Sequence, residues 1–103
     1  MNIPIEKDHI YSFKLTTGEE IVAKVIDHQT GETFVEIEHP ILAVLGPQGL
    51  QLMPGLFSAD LGQKVQLNIN NCVCIAETRD DVRGSWIEAT TGIRTVTKKI
   101  LTG

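Results

Sequence analysis

No apolar run in the chain exceeds five residues, the length of Ile41 to Leu45, against the roughly 18 that a membrane-crossing helix needs. The sequence therefore predicts no membrane span. The opening residues Met1 to Asp8 carry neither the basic start nor the apolar stretch of a secretory signal, which predicts a cytoplasmic protein. Cysteine is sparse. Only Cys72 and Cys74 occur, and residues two apart on a strand point the same way without the Cα geometry that a disulfide demands. Nor do His9, His28 and His39 supply the second ligand pair of a structural zinc site. Free thiols in a reducing compartment, no metal and no cofactor are expected.

Positive charge is also in short supply. Nine Lys and Arg face 13 Asp and Glu, a formal charge of −4, and neutralisation of phosphate by cations supplies most non-specific nucleic-acid affinity. Any nucleic-acid site must then be local. The nearest approach to a basic cluster, Arg94 with Lys98 and Lys99, reads as a solvated tail. Catalytic signatures are missing too: no Ser or Cys sits in a nucleophile elbow and no Gly-rich phosphate loop occurs. The paired acids Glu19-Glu20 and Asp80-Asp81 fall at a turn and at a helix start, where adjacent carboxylates are solvated or favoured by the helix dipole. The expectation is a protein that is not an enzyme.

What remains is a compact β pattern. With 42% apolar and 21% charged residues and only five aromatics in 103 residues, the chain suits one globular domain, 1–103, whose core is mainly aliphatic. From 10 to 77 it reads as short strands separated by turns. In Ile10 to Leu15, Tyr11, Phe13 and Leu15 share a face because strand side chains alternate. Thr16-Thr17-Gly18-Glu19 turns the chain into Glu20 to Asp27, where Ile21, Ala23 and Val25 form the wholly apolar set and should face the core. Asp27 to Glu32 reads as a loop. Thr33 to Glu38 alternates Thr33, Val35 and Ile37 inward with Glu36 and Glu38 outward, and Phe34 is the exception on the outer side.

Pro40 has no N–H for a ladder, so it predicts a bulge or an edge, with Ile41 to Leu45 as a bent continuation. Gly46-Pro47-Gln48-Gly49 turns into Leu50 to Met53, which returns antiparallel as a hairpin. Val65 to Ala76 has the cleanest period of two, placing Val65, Leu67, Ile69, Asn71, Val73 and Ile75 on one face. Asn70-Asn71 is also a turn signal, so the stretch reads either as one strand or as two joined by a tight bend. Beyond Glu77 the spacing of Val82, Trp86, Ala89, Thr90 and Ile93 predicts a helix over 80–92, started by Asp80 or Asp81 and closed by Gly92, with a tail over 93–103. A hairpin turning at Thr91-Gly92 is the competing reading. Trp86 is expected to anchor the helix, and His39 to be structural. Five short strands with tight turns cannot lie flat in so small a domain, so a strongly bent, five-stranded antiparallel open barrel with a C-terminal helix is predicted.

Leu15-Thr16-Thr17-Gly18-Glu19-Glu20-Ile21-Val22-Ala23-Lys24-Val25 resembles the first signature of the Sm and Sm-like (LSm) proteins, a strand, a glycine turn and an alternating strand with a small residue at Ala23. Leu67-Asn68-Ile69-Asn70-Asn71-Cys72-Val73-Cys74-Ile75 is similar to the second, with Asn68-Ile69 where the family has Arg-Gly. The resemblance covers about two thirds of the chain and extends in particular to small Sm-like proteins of marine phages. It implies a homo-oligomeric ring of five to eight subunits, joined edge to edge through the fourth and fifth strands. It also implies single-stranded RNA binding at one loop from each signature. Here those loops offer Asp27, which either starts a turn or contacts RNA, and His28, either an exposed loop residue or a stacking ring. They also offer Asn68, Asn70 and Asn71. The family's Met-Asn pair is absent from the first loop. An oligomeric protein-binding scaffold without RNA contact is the alternative that the missing Arg-Gly and the acidic balance suggest.

Overall fold

The computed structural model describes residues 5–29, 31–54 and 64–102, with side chains as far as Thr91. Six strands form one antiparallel sheet: β1 (Ile10–Leu15), β2 (Glu20–Asp27), β3 (Phe34–Gly46), β4 (Gly49–Pro54), β5 (Val65–Asn68) and β6 (Cys72–Glu77). Among the described residues one helix, α1 (Asp80–Thr102), follows. The hydrogen-bonded order is β4-β3-β2-β1-β6, and β5 pairs with β3 beyond the stretch that β4 occupies.

Glycine makes two of the tight turns. Gly18 (φ 96°) lies within the Leu15–Glu19 turn, which closes where the Leu15 N–H donates to the Glu19 carbonyl at 2.8 Å. Gly49 (φ 107°) ends the Pro47-Gln48 turn at the tip of the β3–β4 hairpin. Both φ values lie where a Cβ is disfavoured.

The alternation of β1, β2 and β3 places Tyr11, Phe13, Ala23, Val25, Val35 and Ile37 in one buried cluster with Cys72 and Ile75. The opposite face is covered as well. Val22 and Ile41 are buried there against Trp86 of α1, with Ile10, Ala43, Leu52 and Val82 packed around them. Val22 therefore belongs to a core although it lies opposite the expected apolar set, because the helix covers the outer face of β2.

At Pro40 the ladder skips. Lys24 faces Glu38 and Val22 faces Ile41, so two steps on β2 span three on β3 and His39-Pro40 form a bulge. His39 has φ 50°, a conformation uncommon outside glycine. Its carbonyl accepts the Trp86 indole Nε1–H at 2.9 Å, with the two rings edge to face at 6.1 Å between centroids. The bulge that proline imposes thus supplies the acceptor that anchors the helix.

The stretch Val65 to Ala76 is two strands, with a 3-10 turn at Ile69–Asn71 between them. A second bulge follows: Lys14 faces Cys74 and Leu15 faces Cys72, leaving Val73 without an opposite residue. Val73 is 61% exposed, not part of the core face, because the turn and the bulge break the period of two. The helix also departs from expectation. It passes through Gly92 to Thr102, so 93–102 is helical and no hairpin turns at Thr91-Gly92. One glycine costs a helix only about 1 kcal/mol relative to alanine. No helix among the described residues is long and apolar enough to cross a membrane.

Candidate functional site

Regular alternation would place Asp27 on the same face as Val25, towards the core. A third bulge prevents this. Val25 faces Ile37 but Asp27 faces Glu36, so Ile26 is the extra residue and Asp27 is turned onto the outer face beside Glu36. Glu36 in turn faces Gln66 on β5, and Phe34 faces Asn68. Opposite residues in an antiparallel ladder share a face, so Asp27, Glu36 and Gln66 form one row across three strands, with Phe34 and Asn68 in the next.

These rows and the β2–β3 loop enclose a hollow of about 230 Å³, lined by Asp27, His28, Gln29, Glu32, Phe34, Glu36 and Gln66. Its charge is negative. Asp27 and Glu36 are like charges directly across a ladder, an unfavourable pairing. Their counter-ions are distant and exposed: Lys7 Nζ lies 4.0 Å from Asp27 and Lys64 Nζ 3.8 Å from Glu36, contacts worth little in water. Phe34 is 47% exposed, which gives the hollow an aromatic wall. His28 is half-buried, and its Nε2 is shut off from solvent with no hydrogen-bond partner among the described residues. The ring is therefore not the exposed loop histidine that one reading of the sequence allowed.

The second loop lies alongside. Asn68 Oδ1 accepts from the Asn70 N–H at 2.9 Å and caps the 3-10 turn. The Ile69 N–H donates to the Thr33 carbonyl at 3.0 Å, and the Thr16 N–H donates to the Asn71 carbonyl at 2.8 Å. Three residues thus tie the β2–β3 loop to the β1–β2 turn. The Asn70 and Asn71 side chains are exposed and make no hydrogen bond to described residues.

Of the five residues singled out in the sequence, Asp27 and His28 line the hollow, and Asn68 stands next to Phe34 with its side-chain oxygen engaged. Asn70 and Asn71 form the adjoining rim, outside the lining. Sequence reasoning missed Gln29, Glu32, Phe34, Glu36 and Gln66 as site residues. Phe34 carried a signal, since it alone broke the polar outer face of its strand. Glu36 and Gln66 had none, because an outward polar residue on a strand reads as solvated.

A second hollow, about 340 Å³, lies at the start of α1 and is lined by Asp8, His9, Ile10, Glu77, Thr78, Asp80 and Arg83. His9 Nδ1 is 3.1 Å from Glu77 and its Nε2 3.3 Å from Glu6, while Arg83 meets Asp80 at 2.7 Å. His9 is thus paired with Glu77 and Arg83 with Asp80 on an exposed surface. Among the described residues no three His, Cys, Asp or Glu side chains converge as a metal cluster. Cys72 and Cys74 are free, the first buried and the second exposed. Burial pushes the Cys72 thiol up from its ordinary pKa, and the neighbouring Cys74 adds to the shift. No protein-family model matches the sequence, and no curated protein sequence matches it either.

Proposed function

We propose that the chain is an Sm-like, non-catalytic subunit that assembles edge to edge into a homo-oligomeric ring and holds single-stranded RNA at the Phe34 hollow and the Asn70-Asn71 rim. The observation that carries this reading is the turn Ile69–Asn71, hydrogen-bonded at one end to the β2–β3 loop and at the other to the β1–β2 turn. It brings the two loops together on one subunit, and a ring repeats that junction as a circle of identical sites. The ring itself rests on the sheet margins. Among the described residues β6 pairs only with β1, and β4 and β5 only with β3, so two margins present unpaired backbone groups that a second copy can match.

The acidic wall determines how RNA is held. Carboxylates repel phosphate and accept from base N–H groups, while Phe34 offers a stacking face. Bases therefore enter the hollow and the backbone stays outside, with weak contacts summed by valency around the ring. Affinity for a uridine- and guanosine-containing oligomer should change by less than about threefold between 50 and 200 mM salt, the slope of about one phosphate contact. Phe34→Ala together with Asn70→Ala and Asn71→Ala should abolish retention of the oligomer while the assembly keeps its size. Retention unchanged in that variant would refute the site.

A specific observation favours a second reading. Leu45 and Leu50 face each other at the tip of the β3–β4 hairpin, with Leu45 82% exposed, a pairing suited to a protein partner. An intact ring that binds no oligomer at low salt would leave the scaffold reading in place of RNA binding.

A further inference from the structure

We infer that Asn68 is a positioning residue: it touches no RNA itself and holds the 3-10 turn in the shape from which Asn70 and Asn71 reach a strand. This rests on the reading that the rim binds single-stranded RNA, and it follows from how the turn is held. Three of its hydrogen bonds join backbone groups. The Ile69 N–H donates to the Thr33 carbonyl at 3.0 Å, the Thr16 N–H to the Asn71 carbonyl at 2.8 Å, and the Cys72 N–H to the Ile69 carbonyl. A fourth uses a side chain, with Asn68 Oδ1 accepting from the Asn70 N–H at 2.9 Å.

The core holds the ends of the turn. Ile69 packs against the buried cluster and Cys72 belongs to it, whereas Asn70 and Asn71 are exposed between them. An Asn side chain that accepts from the N–H two residues on closes an Asx turn, which fixes the backbone that it spans. Asn68 is half-buried with its oxygen engaged, so the reach to a strand falls to its two exposed neighbours. Because the bond lies at an exposed surface, its loss costs the fold little. The effect falls on binding, where a turn no longer fixed in advance must be ordered as the strand docks.

The test titrates the full-length assembly, by fluorescence anisotropy, with a labelled uridine- and guanosine-containing oligomer. Asn68→Ala should bind about fivefold more weakly, with assembly size and urea midpoint nearly unchanged. Asn68→Ser, whose hydroxyl can accept from the same N–H, should stay within about twofold of the parent. Asn68→Ala is then repeated beside Asn70→Ala and Asn71→Ala, a background that keeps Phe34. A residue that acts through the two asparagines adds no loss there, so the effects should be non-additive. A further loss of about fivefold in that background would show that Asn68 contacts the strand directly, and would overturn the assignment. Parent-like binding by Asn68→Ala, a loss that Asn68→Ser does not recover, or a changed assembly size would overturn it too, with RNA binding left standing. No binding of the oligomer by the intact parent assembly would overturn both this inference and the reading beneath it.

Discussion

Trp86→Phe tests the link between the Pro40 bulge and the helix. The indole is 5% exposed, packs against Val22 and Ile41, and donates from Nε1 to the His39 carbonyl at 2.9 Å. Phenylalanine keeps most of the apolar contact and removes the donor. Leaving a buried carbonyl short of its partner costs about 1–3 kcal/mol, so the variant should lose about 2 kcal/mol, equivalent to about 10 °C in melting temperature for a domain of this size. Trp86→Ala adds a cavity, and the total should reach about 4–5 kcal/mol. Against a domain stability of about 5–15 kcal/mol, that loss is large enough to leave part of the chain unfolded. The assay is urea unfolding followed by far-ultraviolet circular dichroism at fixed protein concentration, since Trp86 is the sole tryptophan and fluorescence disappears with it. A Trp86→Phe variant within about 0.5 kcal/mol of the parent would refute the argument that the bulge carbonyl anchors the helix.

Other consequences follow from the turns, the thiols and the start of the helix. Gly18→Ala, at φ 96° with open space around it, should lose about 1–2 kcal/mol through backbone strain alone in urea unfolding; no loss would mean that the turn relaxes. In native protein at pH 8, Cys74 should react with a disulfide reagent well before Cys72, whose thiol is buried and shifted up; equal rates would contradict the burial of Cys72. The Arg79 guanidinium, hydrogen-bonded to Asp81 at 2.6 Å, holds that carboxyl below its ordinary range. A lowered carboxyl pKa stabilises the fold above the unfolded value, near 3.9, and the contribution fades as pH falls towards the folded value. Asp81→Asn should therefore flatten the acid side of a stability profile below about pH 4, and an unchanged profile would sink the assignment.

Much of the sheet was legible because its signals are local. Gly18, Gly49 and the alternation of Tyr11, Phe13, Val25, Val35 and Ile37 each state their role within a few residues, and Pro40 announced its bulge. What was hidden depends on contacts distant in sequence. Val22 is buried because α1 folds back over β2, and Asp27 reaches the outer face because Ile26 is bulged against Glu36. Val73 looked like a core residue on a regular strand, yet the pairing of Lys14 with Cys74 and Leu15 with Cys72 leaves it out of the ladder. The passage of α1 through Gly92 was illegible for a different reason, since a glycine that stops one helix is tolerated in another. For the site, Asp27 and His28 could be read from their loop. Glu36 and Gln66 could not, because only the three-strand register sets them beside it.

The central proposal is that the margins of β6 and of β4 with β5, unpaired among the described residues, are completed by neighbouring copies. Light scattering on the eluting peak of a size-exclusion column measures this directly. The account predicts a single species of five to eight times the 11.3 kDa subunit mass, stable on dilution. A peak at the mass of one chain, with the fold intact by circular dichroism, would contradict it.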